Sequence, residues 1–269
     1  MDNLDIYNMC LYDDHLENVK ALGYIPVGLG KENFRPEWLK DNEGKNISHK
    51  NLYYGEYSFY YWFWKNKLDL NIENWVGFCQ KRRFWIKKNS ENKNINHSNI
   101  NDHLLERIPS DWADYDSILC EPIYVNNVKT MKLIKRGYKS ILKDPSIFFN
   151  NNKQTLLLHF DMHHGYGNMQ KAIELMHERD RNEFYEYLNK SCFYNPHIMF
   201  ISKPEIINRW FNDLFTWLFK CEKIFGFDNL SGYDTGRLYA YLSERYLSFW
   251  FNEFYKVKSC PWIFFDTSK

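Results

Sequence analysis

No stretch of this 269-residue chain strings together the ~18–20 apolar residues that a helix needs to cross a bilayer. The N-terminal Met1-Asp-Asn-Leu-Asp5 lacks the basic and apolar regions of a signal peptide. The expected location is therefore the cytoplasm, with membrane association at most peripheral. Net charge is only +1, and no nucleic-acid partner is expected from so even a balance. Six cysteines lie far apart and form no Cys-x-x-Cys pair, which argues against a zinc ribbon or a redox motif. Buried, reduced thiols are the expectation. A Walker-type glycine-rich loop is also missing. Neither an internal repeat nor a domain linker is visible.

Aromatic residues are what the chain has in excess, at 19%. They serve cores, and they also line the clefts of sugar-binding proteins. The chain is arranged around Trp75-Val-Gly-Phe-Cys-Gln-Lys-Arg-Arg-Phe-Trp85. Its first half has the pattern of a short strand buried on both faces, as in the middle of a parallel sheet. Gly77 leaves room for a close neighbour. Gln80, Lys81, Arg82 and Arg83 then fall at the strand's C-terminal end, the edge where open α/β sheets bind ligands. Guanidinium groups there suit a nucleotide diphosphate, which they grip with paired hydrogen bonds. A solvated basic turn would give the same sequence.

Around this strand the pattern predicts an α/β fold with a mostly parallel central sheet flanked by helices. Asp5–Tyr12 and Tyr24–Val27 are expected strands on either side of a helix at Asp14–Leu22. Asp41–Lys50 is expected as a polar loop. Asn51–Lys65 is aromatic and long enough for one helix, and Glu56, the acid within it, needs a partner or a ligand hydroxyl. Lys87–Asn101 is low-complexity and predicts a mobile polar loop. Tyr115–Pro122 is a further strand, and Thr130–Leu142 a basic helix.

The second polar concentration follows the apolar start Leu156-Leu-Leu158. It is expected as a strand running into a loop that carries His159, Asp161, His163 and His164, with Asn168 capping the next helix. A metal site is not expected there, for want of a second carboxylate. Pro196–Ile201 is expected as a strand. Ser202-Lys-Pro-Glu205 has the form of a capping box opening a helix that ends at Gly226. A last helix from Asp234 to Tyr255 places Arg237, Tyr241, Glu244 and Ser248 on one stripe, facing a wet cleft or a structural ion pair.

Several of these segments resemble the bacterial capsular-polysaccharide and O-antigen glycosyltransferases, whose central motif reads roughly Gly-Leu-Cys-His-Tyr-Arg-Arg-Tyr. Here Gly77-Phe-Cys-Gln-Lys-Arg-Arg-Phe84 occupies its place. The aromatic block from Asn51 to Asn66, the Asn195–Ile201 segment and the closing Arg237–Leu247 pattern match further blocks of the family. Gln80 and Lys81 depart from the usual His-Tyr, and Asn168 stands where many members have Asp.

The resemblance implies a single glycosyltransferase domain of the GT-A type over residues 1–269, with a mobile loop near 87–103. The implied reaction moves a sugar from a nucleotide-diphosphate donor, expected to be a uridine-diphosphate sugar, to a capsular or lipopolysaccharide glycan or a lipid-linked glycan. Such enzymes usually hold a divalent metal through Asp-x-Asp at the end of a central strand, and Gln80–Arg83 stands there instead. The expectation is thus a metal-independent enzyme with no cofactor. Donor contacts are expected from Gln80, Lys81, Arg82, Arg83, Glu56 and Arg237. Asp161 is the expected general base, ahead of His164 and Glu244, and His163, His197 and Tyr241 are expected on the acceptor side. A carbohydrate-binding or assembly protein of the same fold, without turnover, is the competing expectation.

Overall fold

The apolar run from Trp75 does become the middle of a sheet. A computed structural model describes residues 3–30, 32–91 and 93–266. The strands are β1 (Leu4–Cys10), β2 (Ile25–Gly28), β3 (Leu39–Lys40), β4 (Trp75–Gln80), β5 (Arg83–Trp85) and β6 (Ser117–Cys120). They continue as β7 (Ile123–Tyr124), β8 (Phe193–Tyr194), β9 (Phe200–Ser202), β10 (Val257–Cys260) and β11 (Trp262–Phe264). Two compact units emerge, each discontinuous in sequence. The first comprises the chain through Glu121, His197–Asn212 and Phe251 onward; the second comprises Pro122–Pro196 and Asp213–Trp250.

The first unit holds a nine-stranded sheet in the order β10-β6-β9-β4-β1-β2-β3, with β5 and β11 branching from β4. Its long ladders are parallel: β1 runs with β4 over six residue pairs and with β2 over four, and β6 runs with β10. Between the two parallel sets lies β9, antiparallel to both β4 and β6. Gly77 is where its sequence pattern demanded close approach. A Cβ there would meet the side chains of Ile201 at 3.0 Å and Ile6 at 3.2 Å.

One face of β4 is aromatic. The Phe78 ring lies 4.7 Å from Tyr60, 5.0 Å from Phe200 and 5.3 Å from Phe63. The predicted single helix over Asn51–Lys65 is in fact two, Asn51–Tyr54 and Tyr57–Asn66. Between them Gly55 adopts φ +57°, a conformation that glycine reaches without steric cost. Tyr57, Phe59 and Tyr60 on the second helix are fully buried, each contributing about 2 kcal/mol or more by removal from water. The six cysteines are free, and all but Cys192 are buried.

Helices dominate the second unit: Thr130–Lys143, Leu156–His164, Asn168–Ile173, Glu178–Lys190, and the parts of Pro204–Phe225 and Leu238–Phe254 that fall within it. The β7–β8 ribbon is antiparallel. Phe184, Leu188, Trp217, Tyr246 and Met169 are buried in this unit, and Trp217 donates to the Ala172 carbonyl at 2.7 Å.

Four further expectations are corrected. Leu156–His164 is a helix, opened by Thr155, whose hydroxyl accepts from the Leu158 amide at 3.5 Å. Asp161 therefore sits within a helix, not beyond a strand. The strand expected at Pro196–Ile201 starts only at Phe200, because His197 and Ile198 take φ values of 71° and 56°. Ser202 does not cap the helix that begins at Pro204. Its hydroxyl lies 2.7 Å from that of Ser117 and 3.2 Å from the Asp116 carbonyl. The last helix is likewise broken, into Gly232–Thr235 and Leu238–Phe254, and Arg237 falls in the gap. Among the described residues no helix is long and apolar enough to cross a membrane.

Candidate functional site

Because β1, β2 and β4 are parallel, their C-terminal ends share one edge of the first unit's sheet. The backbone after each strand stays tied to its neighbour: Lys81 N–H donates to the Met9 carbonyl, and Leu29 N–H to that of Cys10, both at 2.9 Å. Beyond Gln80 the chain turns through Lys81 and Arg82 into β5 at Arg83. The turn holds the three cations beside aromatic rings. Lys81 Nζ lies 4.9 Å from the centre of the exposed Tyr12 ring, and the Arg82 and Arg83 guanidinium carbons lie 5.4 and 5.8 Å from that of Phe264.

Gln80 organises this edge. Its side-chain oxygen accepts from Arg83 Nη1 at 2.8 Å, and its amide donates to the His197 carbonyl at 3.0 Å. Arg83 Nε is buried and has no hydrogen-bond partner. Arg82 is half-exposed, 3.8 Å from Asp266. The His197 ring meets Trp262 edge-on at 4.2 Å. Burial, aided by Arg83, pushes its pKa down to about 3, so the ring is neutral.

Two consecutive non-glycine residues with positive φ are uncommon, and a β-branched one is an outlier. Such strain, about 1–3 kcal/mol per residue, persists only where the surroundings enforce it. Here both carbonyls of the pair are held, that of His197 by Gln80 and that of Ile198 by the Tyr60 hydroxyl at 2.8 Å.

Sequence reasoning missed Asp41, which immediately follows β3 on the same edge. It is 1% exposed, and burial raises its pKa to about 6. The Ser58 hydroxyl donates to its carboxylate at 2.6 Å, and the Asn51 amide donates to Ser58 at 2.9 Å. A polar stretch with glycine gave no sign that one acid in it would be buried.

The second unit carries the histidines. His159 and His163 lie one turn apart with rings stacked 4.4 Å apart. His163 Nδ1 donates to the His159 carbonyl at 2.8 Å and His164 Nδ1 to the Asp234 carbonyl at 3.0 Å, which fixes both tautomers because a carbonyl only accepts. His164 also stacks on Tyr241 at 3.7 Å. Arg245, missed in the sequence, is 1% exposed. It donates to Glu244 at 2.7 Å and to His159 Nδ1 at 3.1 Å, and lies 3.8 Å over the Tyr194 ring. Burial and then Arg245 lower the pKa of His159 to about 2 and of His164 to about 3; burial also lowers that of His163.

Asp161 does something else. Its carboxylate accepts from Gly167 N–H at 3.1 Å, so this acid, and not Asn168, closes the turn before the Asn168–Ile173 helix. Asn168 instead donates back to the His164 carbonyl at 2.9 Å. Burial raises the Asp161 pKa.

The structure thus brings Gln80, Lys81, Arg82, Arg83 and His197 together in the first unit, which also contains Glu56, beside the start of the Tyr57–Asn66 helix. Asp161, His163, His164, Arg237, Tyr241 and Glu244 belong to the second. Among the described residues, no three His, Cys, Asp or Glu side chains gather as a metal site.

Among solved structures, the chain is similar to apo WbbM, a bifunctional glycosyltransferase, with a TM-score of 0.66 and 17% identity. The match covers 99% of this chain and 46% of that one, so the chain spans less than half of its length. At that identity the likeness establishes the fold. Core-mannan synthase A from Aspergillus fumigatus, in a Mn/GDP form, matches at a TM-score of 0.34 and 10% identity, covering 92% of this chain and 70% of its own. The mannosyltransferase Ktr4p from S. cerevisiae matches at 0.29 and 10%, covering 79% and 60%. The last two scores are too low to carry an argument. No curated protein matches the chain. A family model matches residues 6–256, and the chain belongs to that family, described as a domain of unknown function (DUF4422).

Proposed function

We propose that this protein is a glycosyltransferase that uses a nucleotide-diphosphate sugar, with uridine diphosphate as the leaving group. The observation that carries this reading is the set Lys81, Arg82 and Arg83 at the C-terminal edge of β4, with Arg83 Nε buried and unmatched. The fold shared with WbbM, named a bifunctional glycosyltransferase, supports it.

In the proposed reaction an acceptor hydroxyl oxygen forms a bond to the anomeric carbon. The bond from that carbon to the diphosphate oxygen breaks, its electron pair leaving with the diphosphate. Cations aimed at the leaving group stabilise the charge that grows on it. The hydroxyl proton passes to a base, for which we propose Asp161; its raised pKa brings it nearer to neutrality, where a base is most effective. His164 is the rival, with Nε2 as its acceptor nitrogen, although burial makes that nitrogen weakly basic. Glu244, bound to Arg245, is better suited to ordering the site. The acceptor in this reading is a growing capsular or lipopolysaccharide glycan on a lipid carrier, met at the inner face of the cytoplasmic membrane, and no metal takes part.

Calorimetric titration of uridine diphosphate, with and without excess chelator, tests the reading. Binding that survives chelation supports it. Absence of binding for every nucleoside diphosphate overturns it, and binding that requires manganese or magnesium overturns its metal-free form.

A further inference from the structure

The second unit contains a cavity of about 410 Å³ walled by the helices Thr130–Lys143, Leu156–His164 and Glu178–Lys190. Asp161 lines it, only 8% exposed. Gln170, on the next helix, hydrogen-bonds to the Asp161 carboxylate. A carboxylate only accepts, so the amide turns its NH2 toward Asp161, which leaves Oε1 outside that hydrogen bond. That oxygen is buried and has no partner. A buried acceptor without a donor is costly, and in native proteins it commonly awaits a water or a ligand.

The remaining lining narrows the ligand's chemistry. Lys143 and Lys153 bring positive charge, but Lys153 is already paired with Asp144 at 2.7 Å. Lys143 lies 5.3 Å from the centre of the Tyr166 ring, hydrogen-bonds to that tyrosine and is attracted to Asp161. One ammonium against one carboxylate leaves the cavity electrically balanced. An apolar ligand would strand Asp161 and Gln170, and an anion such as phosphate would face the Asp161 carboxylate. A neutral polyol avoids both penalties, because each hydroxyl donates once and accepts as well. Tyr185, which lines the cavity and is 42% exposed, offers a ring to the C–H face of a sugar.

We propose that this cavity is a saccharide subsite, in which sugar hydroxyls donate to Gln170 Oε1 and to Asp161 and accept from Lys143. That the saccharide is the acceptor glycan rests on the glycosyltransferase reading; that a saccharide binds does not.

Saturation-transfer NMR with the methyl glycosides of glucose, galactose, mannose and N-acetylglucosamine, followed by titration of whichever binds, tests this on the full chain. Two variants accompany it. Gln170→Met removes the unmatched acceptor at similar size, and Ser140→Trp fills the cavity from the Thr130–Lys143 helix while leaving Gln170 in place. Thermal melts establish that each variant is folded. At least one glycoside should bind, and its affinity should fall at least about tenfold in both variants with uridine diphosphate binding unchanged. The subsite is overturned if no glycoside binds the parent protein, or if a folded variant of either kind keeps the parent affinity. Saccharide binding that depends on the cavity, in a protein that binds no nucleotide, would keep the subsite and overturn the transferase.

Discussion

Arg245 donates through Nη2 to Nδ1 of His159 at 3.1 Å, so this buried guanidinium and its imidazole neighbour share a hydrogen bond that only a neutral ring can accept. The same side chain binds Glu244 and covers Tyr194, so three groups depend on one cation.

Removing that cation takes a donor from both partners. Arg245→Met keeps most of the volume but deletes the hydrogen bonds to Glu244 and to His159. Loss of one partner from a buried pair costs about 3–5 kcal/mol; Glu244 retains some access to water, which places the expected loss near the lower end. Urea denaturation checks it, and a variant within about 0.5 kcal/mol of the parent would contradict the arrangement.

The depressed histidines make the fold acid-labile. His159, His164 and His197 have folded pKa values of about 2, 3 and 3, against about 6.5 in an unfolded chain. The unfolded state therefore binds more protons, and stability falls as pH drops from about 6.5 toward 3. Each histidine adds up to about 1.4 kcal/mol per pH unit in that window. Melting temperature should decline steeply below pH 6, and His159→Gln should flatten the slope. A parent profile flat from pH 7 to 4 would sink this account.

Asp41 acts with the opposite sign. Its pKa is raised to about 6, so its contribution is most favourable below the unfolded value of about 4 and is lost as pH rises through 6. Asp41→Asn retains an acceptor for the Ser58 hydroxyl and removes the buried charge. The variant should gain about 1–2 kcal/mol at pH 8 and nothing at pH 4. Equal effects at the two pH values would remove burial as the cause.

Arg82 and Arg83 should differ in their hold on uridine diphosphate. Arg83 is anchored by Gln80 and has a buried unmatched donor, whereas the Arg82 side chain is 51% exposed. Arg83→Ala should weaken binding by about 2 kcal/mol, and Arg82→Ala by under about 1 kcal/mol. Calorimetry distinguishes them, and the reverse order would refute the assignment.

The sheet was largely legible because β1, β2, β4 and β6 are short apolar runs bounded by turns or charge. Leu156–His164 was not, since a brief run buried on all sides has no period that separates helix from strand. Two local signs were present: Thr155 as a cap, and the spacing of His159 and His163, which suits one helical turn. Arg245 stood inside the matched closing pattern, one residue from the chosen stripe and so about 100° around the helix. Ser248, which was on that stripe, binds Asn195 at 2.7 Å and Tyr187 at 3.0 Å. Left-handed conformations at His197 and Ile198 have no sequence signal, because held carbonyls impose them.

The position of β9 sets the order in which the first unit can be completed during synthesis. Three strands of the central row, β1, β2 and β4, leave the ribosome before β6, yet among the described residues β4 and β6 are joined only through Phe200–Ser202. Until residue 202 has emerged, a nascent chain exposes one flank of Trp75–Gln80 and both flanks of Ser117–Cys120, whose other neighbour, Val257–Cys260, comes later still; both strands are apolar and ready to pair. The whole Pro122–Pro196 segment of the second unit is translated during that interval. The nascent chain is therefore most open to mispairing with its neighbours between the emergence of Cys120 and that of Ser202, and chaperone demand should peak there.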